Sequence, residues 1–438
     1  MTITYDPKHP KYVDEADVRN EMTRVFDVCH GCRLCVGLCT SFPTMFEMID
    51  RHNDHDAGRL TPAQQDQVVD ECFQCKLCYL NCPYIPDVDE LAIDFPRLML
   101  RVDAMRHANG QFSIRSRVTD TVLGHTDLLG KAATTTANAA NRLIGAKQGS
   151  VVRKAMEVVT GVSSVRLLPP YARQRFTTWF KRRPRVRIAK RQSRVAVFPT
   201  CLVEYQQPSI GHDLVKVYER NGIECTLAED AACCGAPWLH SGDVEQFTKV
   251  ASKNVKALAT SIRRGNDIVV PQPTCSYVLK KDYLDYVGGA DAQLVADNTY
   301  DAAEYLMKVH KADGTALDTD FQGHVPSTVT YHTPCHLRAQ NIGLKSRDLI
   351  KLTGAKVTVV KQCSGIDGTW GLRAENAEIS VPIAKKLAEQ IRSANGEVIA
   401  GDCHLANTAI TEQTGEEPMH PIQLLARAYG ISEEMPQL

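Results

Sequence analysis

One line is written twice in this chain. Residues 29–39 read CHGCRLCVGLC and residues 72–83 read CFQCKLCYLNCP. Cys29, Cys32, Cys35 and Cys39 follow C-x2-C-x2-C-x3-C, and so do Cys72, Cys75, Cys78 and Cys82. Three thiolates two residues apart can wrap three corners of one cube if the backbone turns tightly around it. The fourth cysteine leaves on a helix and points away, and in two-cluster proteins it ligates the other cluster. The spacing therefore predicts one [4Fe–4S] centre on Cys29, Cys32, Cys35 and Cys82, and a second on Cys72, Cys75, Cys78 and Cys39. Zinc also takes four cysteines, but usually as C-x2-C pairs separated by a longer spacer.

Details around the runs refine this. Pro83 gives the second run a C-P ending, whereas Thr40 stands at that place in the first. Gly31 is expected to let backbone approach a cluster closely. The stretch TPAQQDQVVDECFQC reads as a helix with Thr61 as cap and Pro62 at its first position. A helical ferredoxin-like domain fits this better than a compact β-rich one.

Sixteen cysteines is a high count for 438 residues. The opening MTITYDPKHPKYVDEADVRN is polar and has no apolar signal core, so a cytoplasmic chain is expected. Thiols there stay reduced, and clustered cysteines point to metal or redox chemistry instead of a disulfide framework. No stretch approaches 18 apolar residues, so no transmembrane helix is expected. The net charge of zero gives no reason to expect nucleic-acid binding. No G-x-G-x-x-G follows a predicted strand, which argues against flavin or nicotinamide in this chain.

The cysteines divide the sequence. Eight precede residue 98, none lies between 99 and 194, and eight follow. The expected class is α+β multidomain: a two-cluster ferredoxin-like domain at 1–98, a helical connector at 99–194, and two α/β repeats at 195–320 and 321–438. The connector reads as amphipathic helix in FPRLMLRVDAMRHA and LLGKAATTTANAANRLIGA. It ends in Lys181, Arg182, Arg183, Arg185, Arg187, Lys190, Arg191 and Arg194 with no acid in the run. That run is either a face for an anionic membrane or partner, or a solvated linker. Pro184 argues against one continuous helix there.

In the last part, RVAVFPT, DIVVPQPT, STVTYHTP, KVTVV and EVIAGD read as buried strands between amphipathic helices, the pattern of parallel βαβ units. Gly222, Gly265 and Gly396 stand where helix caps belong. Cys201, Cys275, Cys335 and Cys403 follow strand ends, the edge at which open α/β sheets bind ligands. FPTCLVEY, AACCGAPW and PQPTCSYVLKKDY are answered by YHTPCHLRAQ, KQCSGIDGTWG and AGDCHLANTAI, with Gly235 and Gly365 130 residues apart. The chain repeats itself at roughly that period. Cys225 fits neither copy and reads as a core thiol just before a strand.

These motifs resemble the CCG domain of heterodisulfide-reductase-type proteins. With AIDFPRLML, YARQRFTTWFKR, CCGAPW, YHTPCH, GIDGTWG and HPIQLLARA, nearly the whole chain resembles the family of the C subunit of anaerobic glycerol-3-phosphate dehydrogenase. The resemblance implies N-terminal centres that carry electrons and CCG domains that bind further metal. It also implies a redox partner, such as a flavoprotein dehydrogenase, and a quinone or thiol acceptor. The basic end of the connector would then lie near the inner face of the cell membrane, making the protein peripheral.

The first copy offers Cys201, Cys233, Cys234 and Cys275, enough for an iron–sulfur cluster or zinc. Gln272 stands at the first position of its Cys-x-x-Cys. The second copy offers Cys335, Cys363 and Cys403, with Ser364 and Ala406 where cysteines would complete the motif. Five-cysteine clusters therefore cannot form in either copy, which weakens the case for disulfide cleavage. Three thiols need a fourth donor such as His332, His336, His404 or a substrate; otherwise the second copy is an unoccupied relic. The leading expectation is an electron-transfer subunit without turnover of its own. The alternative is a redox enzyme of a peroxide-defence system with a rubrerythrin-like partner, suggested by resemblance in YDPKHPKYVDE and FDVCHGCRLC.

Overall fold

The computed structural model describes residues 5–432 apart from 87, 185, 187, 189 and 367. Regular structure before residue 193 is helical. Helices Glu15–Cys32, Ser41–Asp50, Pro62–Asp70 and Phe95–Ala108 bury Val18, Met22, Phe26, Phe42, Phe46 and Met99 against one another. Thr61 and Gln64 form a reciprocal capping box around Pro62, satisfying two end donors of that helix. The helix Phe95–Ala108 runs through residue 98, so the cysteine-rich part and the connector share a rigid element.

The connector continues as Ile114–Gly124, Thr126–Thr135, Ala137–Ile144, Val151–Thr160 and Phe176–Arg182. The expected helix over LLGKAATTTANAANRLIGA is two, broken at Thr136. Thr135 and Thr136 turn their hydroxyls back onto the carbonyls of Lys131 and Ala132. Such local bonds compete with the helix and bend it. Arg153, 1% exposed, donates to the carbonyls of Ile144, Ser163 and Arg166 and holds the following segment against the helices.

Two small parallel sheets follow. Strands β1 (Ser193–Val197), β2 (Ile223–Leu227), β3 (Asp267–Val270) and β4 (Thr299–Asp301) lie in the order β2-β1-β3-β4. Strands β5 (Thr328–His332), β6 (Lys356–Val360) and β7 (Val398–Gly401) lie in the order β6-β5-β7. A parallel bridge from Ala400 to Met419 stands where the first copy has β4. The two copies thus have one topology. Their strands read as apolar runs because helices cover parallel sheets on both faces.

Three readings change. Cys225 lies inside β2, buried and paired in register with Val195, not ahead of a strand. The helix Ala377–Ala394 closes on left-handed Asn395, and Gly396 instead lies against Thr330. The basic run does meet acids: Arg183 pairs with Glu219 at 2.6 Å and Arg191 with Glu224 at 2.9 Å, with Arg194 3.7 Å from the same carboxylate. Those acids come from a helix and β2 of the first copy, invisible in the run itself. Arg185 and Arg187 lie outside the described residues. The copies also share a core. Ile422, Leu425 and Ala426 of helix Pro421–Ala428 pack with Leu214, Val217 and Tyr218 of helix Pro208–Arg220.

Candidate metal centres and an apolar cavity

The two cysteine runs meet each other. Burial, with Cys35, Cys82 and Cys32 facing it, pushes the Cys29 thiol up. Cys35 is pushed up to about 12 by burial and by Cys82 and Cys32. In the other group, burial and Cys39 raise Cys72, while burial with Cys75, Cys72 and Cys39 raises Cys78. Cys39 itself, facing Cys75, is pushed up to about 11, burial again the larger cause. The thiol closing each run therefore stands among the first three of the other.

Both runs turn alike: Arg33 and Lys76, each following a second cysteine, adopt left-handed backbone at φ 55° and 64°. A Cβ on Gly31 would meet nothing within 4 Å, so packing within the chain does not demand glycine there. Four thiols that repel one another's charge are a donor set that a cation relieves. A coordinating metal deprotonates thiols outright, so both groups fit iron–sulfur ligation.

In the first copy, Cys201 follows β1, Cys233 and Cys234 follow β2, and Cys275 follows β3. Cys201 opens helix Cys201–Tyr205 and Cys275 lies in helix Pro273–Tyr277. Hydrogen bonds from Cys201 and Cys234, with Thr126 and the Gly235 N–H adding to them, pull the Cys233 thiol well down despite burial. The neighbouring Cys201 and Cys234 go up correspondingly. Cys234 in turn faces Cys275. The four adjoin in sequence, Cys201 to Cys233 to Cys234 to Cys275, with no three sulfurs all within 4.8 Å of one another among the described residues, a spread that suits a multi-iron cluster. Gly235 has φ +89°, and an added Cβ would come 2.9 Å from Phe247. The second copy repeats this turn: Gly365, at φ +68°, donates its N–H to Cys363 Sγ at 3.3 Å, and an added Cβ would strike the Ser380 carbonyl.

The second copy is otherwise used differently. Cys335 and Cys363 pack with Trp370 against Phe73, Cys75 and Leu77, residues of the second cysteine run. His336 cannot serve as their fourth donor. Its Nδ1 meets Thr274 Oγ1 at 2.9 Å, and its Nε2 meets the Gln74 carbonyl at 3.0 Å. It pins together the loop between Cys72 and Cys75, the residue before Cys275, and its own neighbour Cys335. His332 and His404 each keep one buried ring nitrogen unpaired among the described residues. Burial pushes both down to about 4, which leaves them in the neutral, ligating form.

Cys403 lines a cavity of about 290 Å³ together with Cys201, Cys233, Cys234 and Cys275. Its opposite wall comes from the connector and is apolar, with Leu123, Leu129, Met156 and Leu168. Asp127 reaches in from the connector. It accepts the Cys233 N–H at 2.9 Å and the Tyr205 hydroxyl at 3.1 Å. Nothing in HTDLLG marks Asp127 beforehand, because its partners lie far along the chain.

A cysteine-rich CCG domain model matches residues 195–280 and 329–410, so tandem CCG domains define the class. The chain is 30% identical over 331 residues to the C subunit of anaerobic glycerol-3-phosphate dehydrogenase from Escherichia coli (strain K12), covering 74% of this chain and 81% of that protein. This chain belongs to the family of that dehydrogenase component. It is also 30% identical over 249 residues to the B subunit of fumarate reductase (CoM/CoB) from Methanothermobacter marburgensis, across 54% of this chain and 47% of the relative. Lactate utilization protein A of Bacillus pumilus is 27% identical over 225 residues, across 48% of this chain and 87% of its own length.

Proposed function

We propose that this chain is an iron–sulfur electron-transfer subunit. In this reading residues 1–98 hold two [4Fe–4S] clusters, one on Cys29, Cys32, Cys35 and Cys82, the other on Cys72, Cys75, Cys78 and Cys39. Residues 99–194 connect them to CCG repeats at 195–320 and 321–438. Cys201, Cys233, Cys234 and Cys275 hold a further cluster or zinc, and Cys335, Cys363 and Cys403 form a second, smaller donor set. Bound iron–sulfur centres carry one electron at a time. The donor is a redox protein such as a flavoprotein dehydrogenase, as the name of the glycerol-3-phosphate dehydrogenase relative suggests. The acceptor is a quinone or thiol-type molecule in the apolar cavity.

One observation carries the reading: packing and hydrogen bonds link the second cysteine run to both CCG copies. The second run packs on Cys335 and Cys363, and His336 joins Gln74 to Thr274, next to Cys275 at the cavity. The chain's own part is to hold these groups in line, to exclude water with the connector helices, and to fix the Cys233 backbone through Asp127. No helix of the described residues is long and apolar enough to cross a membrane. In this reading the chain lies in the cytoplasm, on the membrane's inner face; Ile114, Leu128, Val151 and Val158, exposed on the connector, support the peripheral attachment alone.

The test is anaerobic iron and sulfide quantitation with spin resonance. Cys82→Ser should destroy the centre of Cys29, Cys32 and Cys35 and leave the other signal. Damage confined to the Cys72 centre would refute the crossed ligation.

A further inference from the structure

The apolar cavity has a polar neighbour. A second cavity, of about 450 Å³, is lined by Cys72, Asp103, Arg106, Asp120, Trp370 and Arg373. Two residues, His240 and Thr369, line both cavities. Of these only His240 titrates. Its ring lies 6.5 Å from that of His336, centre to centre. Burial, with the charges of Lys76, His336 and Arg373 adding to it, pushes His240 well below the ordinary histidine range. The ring therefore stands neutral, with one N–H and one bare nitrogen. On the polar side, burial pushes the Asp103 carboxyl up to about 7, with Arg106 and Arg373 pulling the other way and Asp70 and Asp120 adding to the rise. A carboxyl so held can give up a proton near neutral pH.

We infer that His240 is the proton gate of the apolar cavity: one ring nitrogen gives its proton to a ligand beside the Cys233 site, and the other takes a replacement from the polar cavity. The inference rests on the reading of the apolar cavity as the acceptor site. It narrows the acceptor to an uncharged, largely apolar molecule that takes up protons with electrons, a carbonyl pair or a disulfide. Two electrons from the reduced flavoprotein donor and two protons from solvent convert A to AH2, and no group of this chain is consumed. The polar cavity supplies carboxylates, Asp70, Asp103 and Asp120, that exchange protons with water. His240 is a positioning and relay residue, not a metal ligand.

The test uses full-length, metal-loaded protein, chemically reduced, with two acceptors. One is 2,3-dimethyl-1,4-naphthoquinone, which needs protons; the other is ferricyanide, which does not. In His240→Phe the ratio of naphthoquinone to ferricyanide rates should fall at least about tenfold, and the pH profile of that ratio should change. Calorimetric affinity for the naphthoquinone should weaken by less than about threefold. In His240→Ala, added imidazole should restore the ratio by entering the polar cavity. Equal slowing with both acceptors, or an unchanged ratio, would overturn the gate. The underlying reading fails separately: if Leu129→Trp, which fills the cavity, leaves naphthoquinone affinity unchanged, the acceptor does not bind there.

Discussion

The two CCG copies share a sheet order and a Cys-x-Gly turn, yet they face different neighbours. The first gathers four thiols against a cavity walled by the connector. The second offers Cys335 and Cys363 to the second N-terminal cysteine run and lends Cys403 to the first copy's cavity. The two copies thus share a scaffold and turn their cysteines to different neighbours. One copy faces an apolar cavity, and the other abuts the second N-terminal cysteine run. Ser364 and Ala406 stand at motif cysteine positions in the second copy, as Gln272 does in the first.

The largest effect expected from breaking this division is all or none. Cys233→Ala should remove the metal of the first copy, whereas Cys363→Ala should leave it in place, as measured by anaerobic iron, sulfide and zinc analysis. Loss of the same metal in both variants would merge the copies into one site. Next comes the shared turn. Gly365→Ala forces a left-handed alanine against a backbone carbonyl that cannot yield, and should cost about 3 kcal/mol in a denaturant titration. Gly235→Ala meets only the edge of Phe247 and should cost about 1–2 kcal/mol. A reversed order would mean that the first copy's turn is the more constrained.

A subtler contrast lies in the helix caps. Asp301 and Glu304 form the capping box after β4, and His420 and Gln423 form its counterpart in the second copy. Burial pushes His420 down to about 3 and pushes Asp301 up, with Asp402 adding to the latter. Because His420 lies below its unfolded value, the unfolded chain binds the proton more readily. That stability is present above about pH 6.5 and drains as pH falls toward 3. Asp301 has the opposite sign: its contribution is present in acid and is lost as pH rises through its raised value. His420→Asn keeps a good cap and removes the titration. Wild-type stability relative to this variant should fall by about 2 kcal/mol between pH 7 and pH 5 in urea titrations. A difference independent of pH would show that His420 acts only as a cap.

The smallest effect concerns the junction with the second copy. Lys76 is buried, holds Gln74 at 2.5 Å and faces Cys72. Lys76→Met should lower the potential of the Cys72 centre by several tens of millivolts in a spectroscopic redox titration, because a nearby positive charge favours the reduced state. No shift would mean that the ammonium group does not act on the Cys72 centre.

What could be read from sequence was local. Thr61-Pro62-x-Gln64 announces its helix because cap, proline and N3 partner lie within one turn. RVAVF and DIVV announce strands because burial on both faces demands apolar runs. IECTL in β2 announces only its end, after Cys225, since Glu224 interrupts its start at the sheet edge. The break at Thr136 needed three consecutive threonines to be weighed against an alanine-rich surround. Asp127, His240 and the partners of Arg183 and Arg191 are single polar residues whose counterparts lie in other elements. No periodicity encodes such meetings; only the fold creates them.

The helix Pro421–Ala428 has a consequence for how the protein is made. It completes the hydrophobic core of the first copy, yet it is synthesised after nearly all of the second. A nascent chain that has just finished residues 195–320 still exposes Leu214, Val217 and Tyr218 to whatever surrounds the ribosome. Its sheet can pair, but its apolar face stays open until translation reaches Ile422.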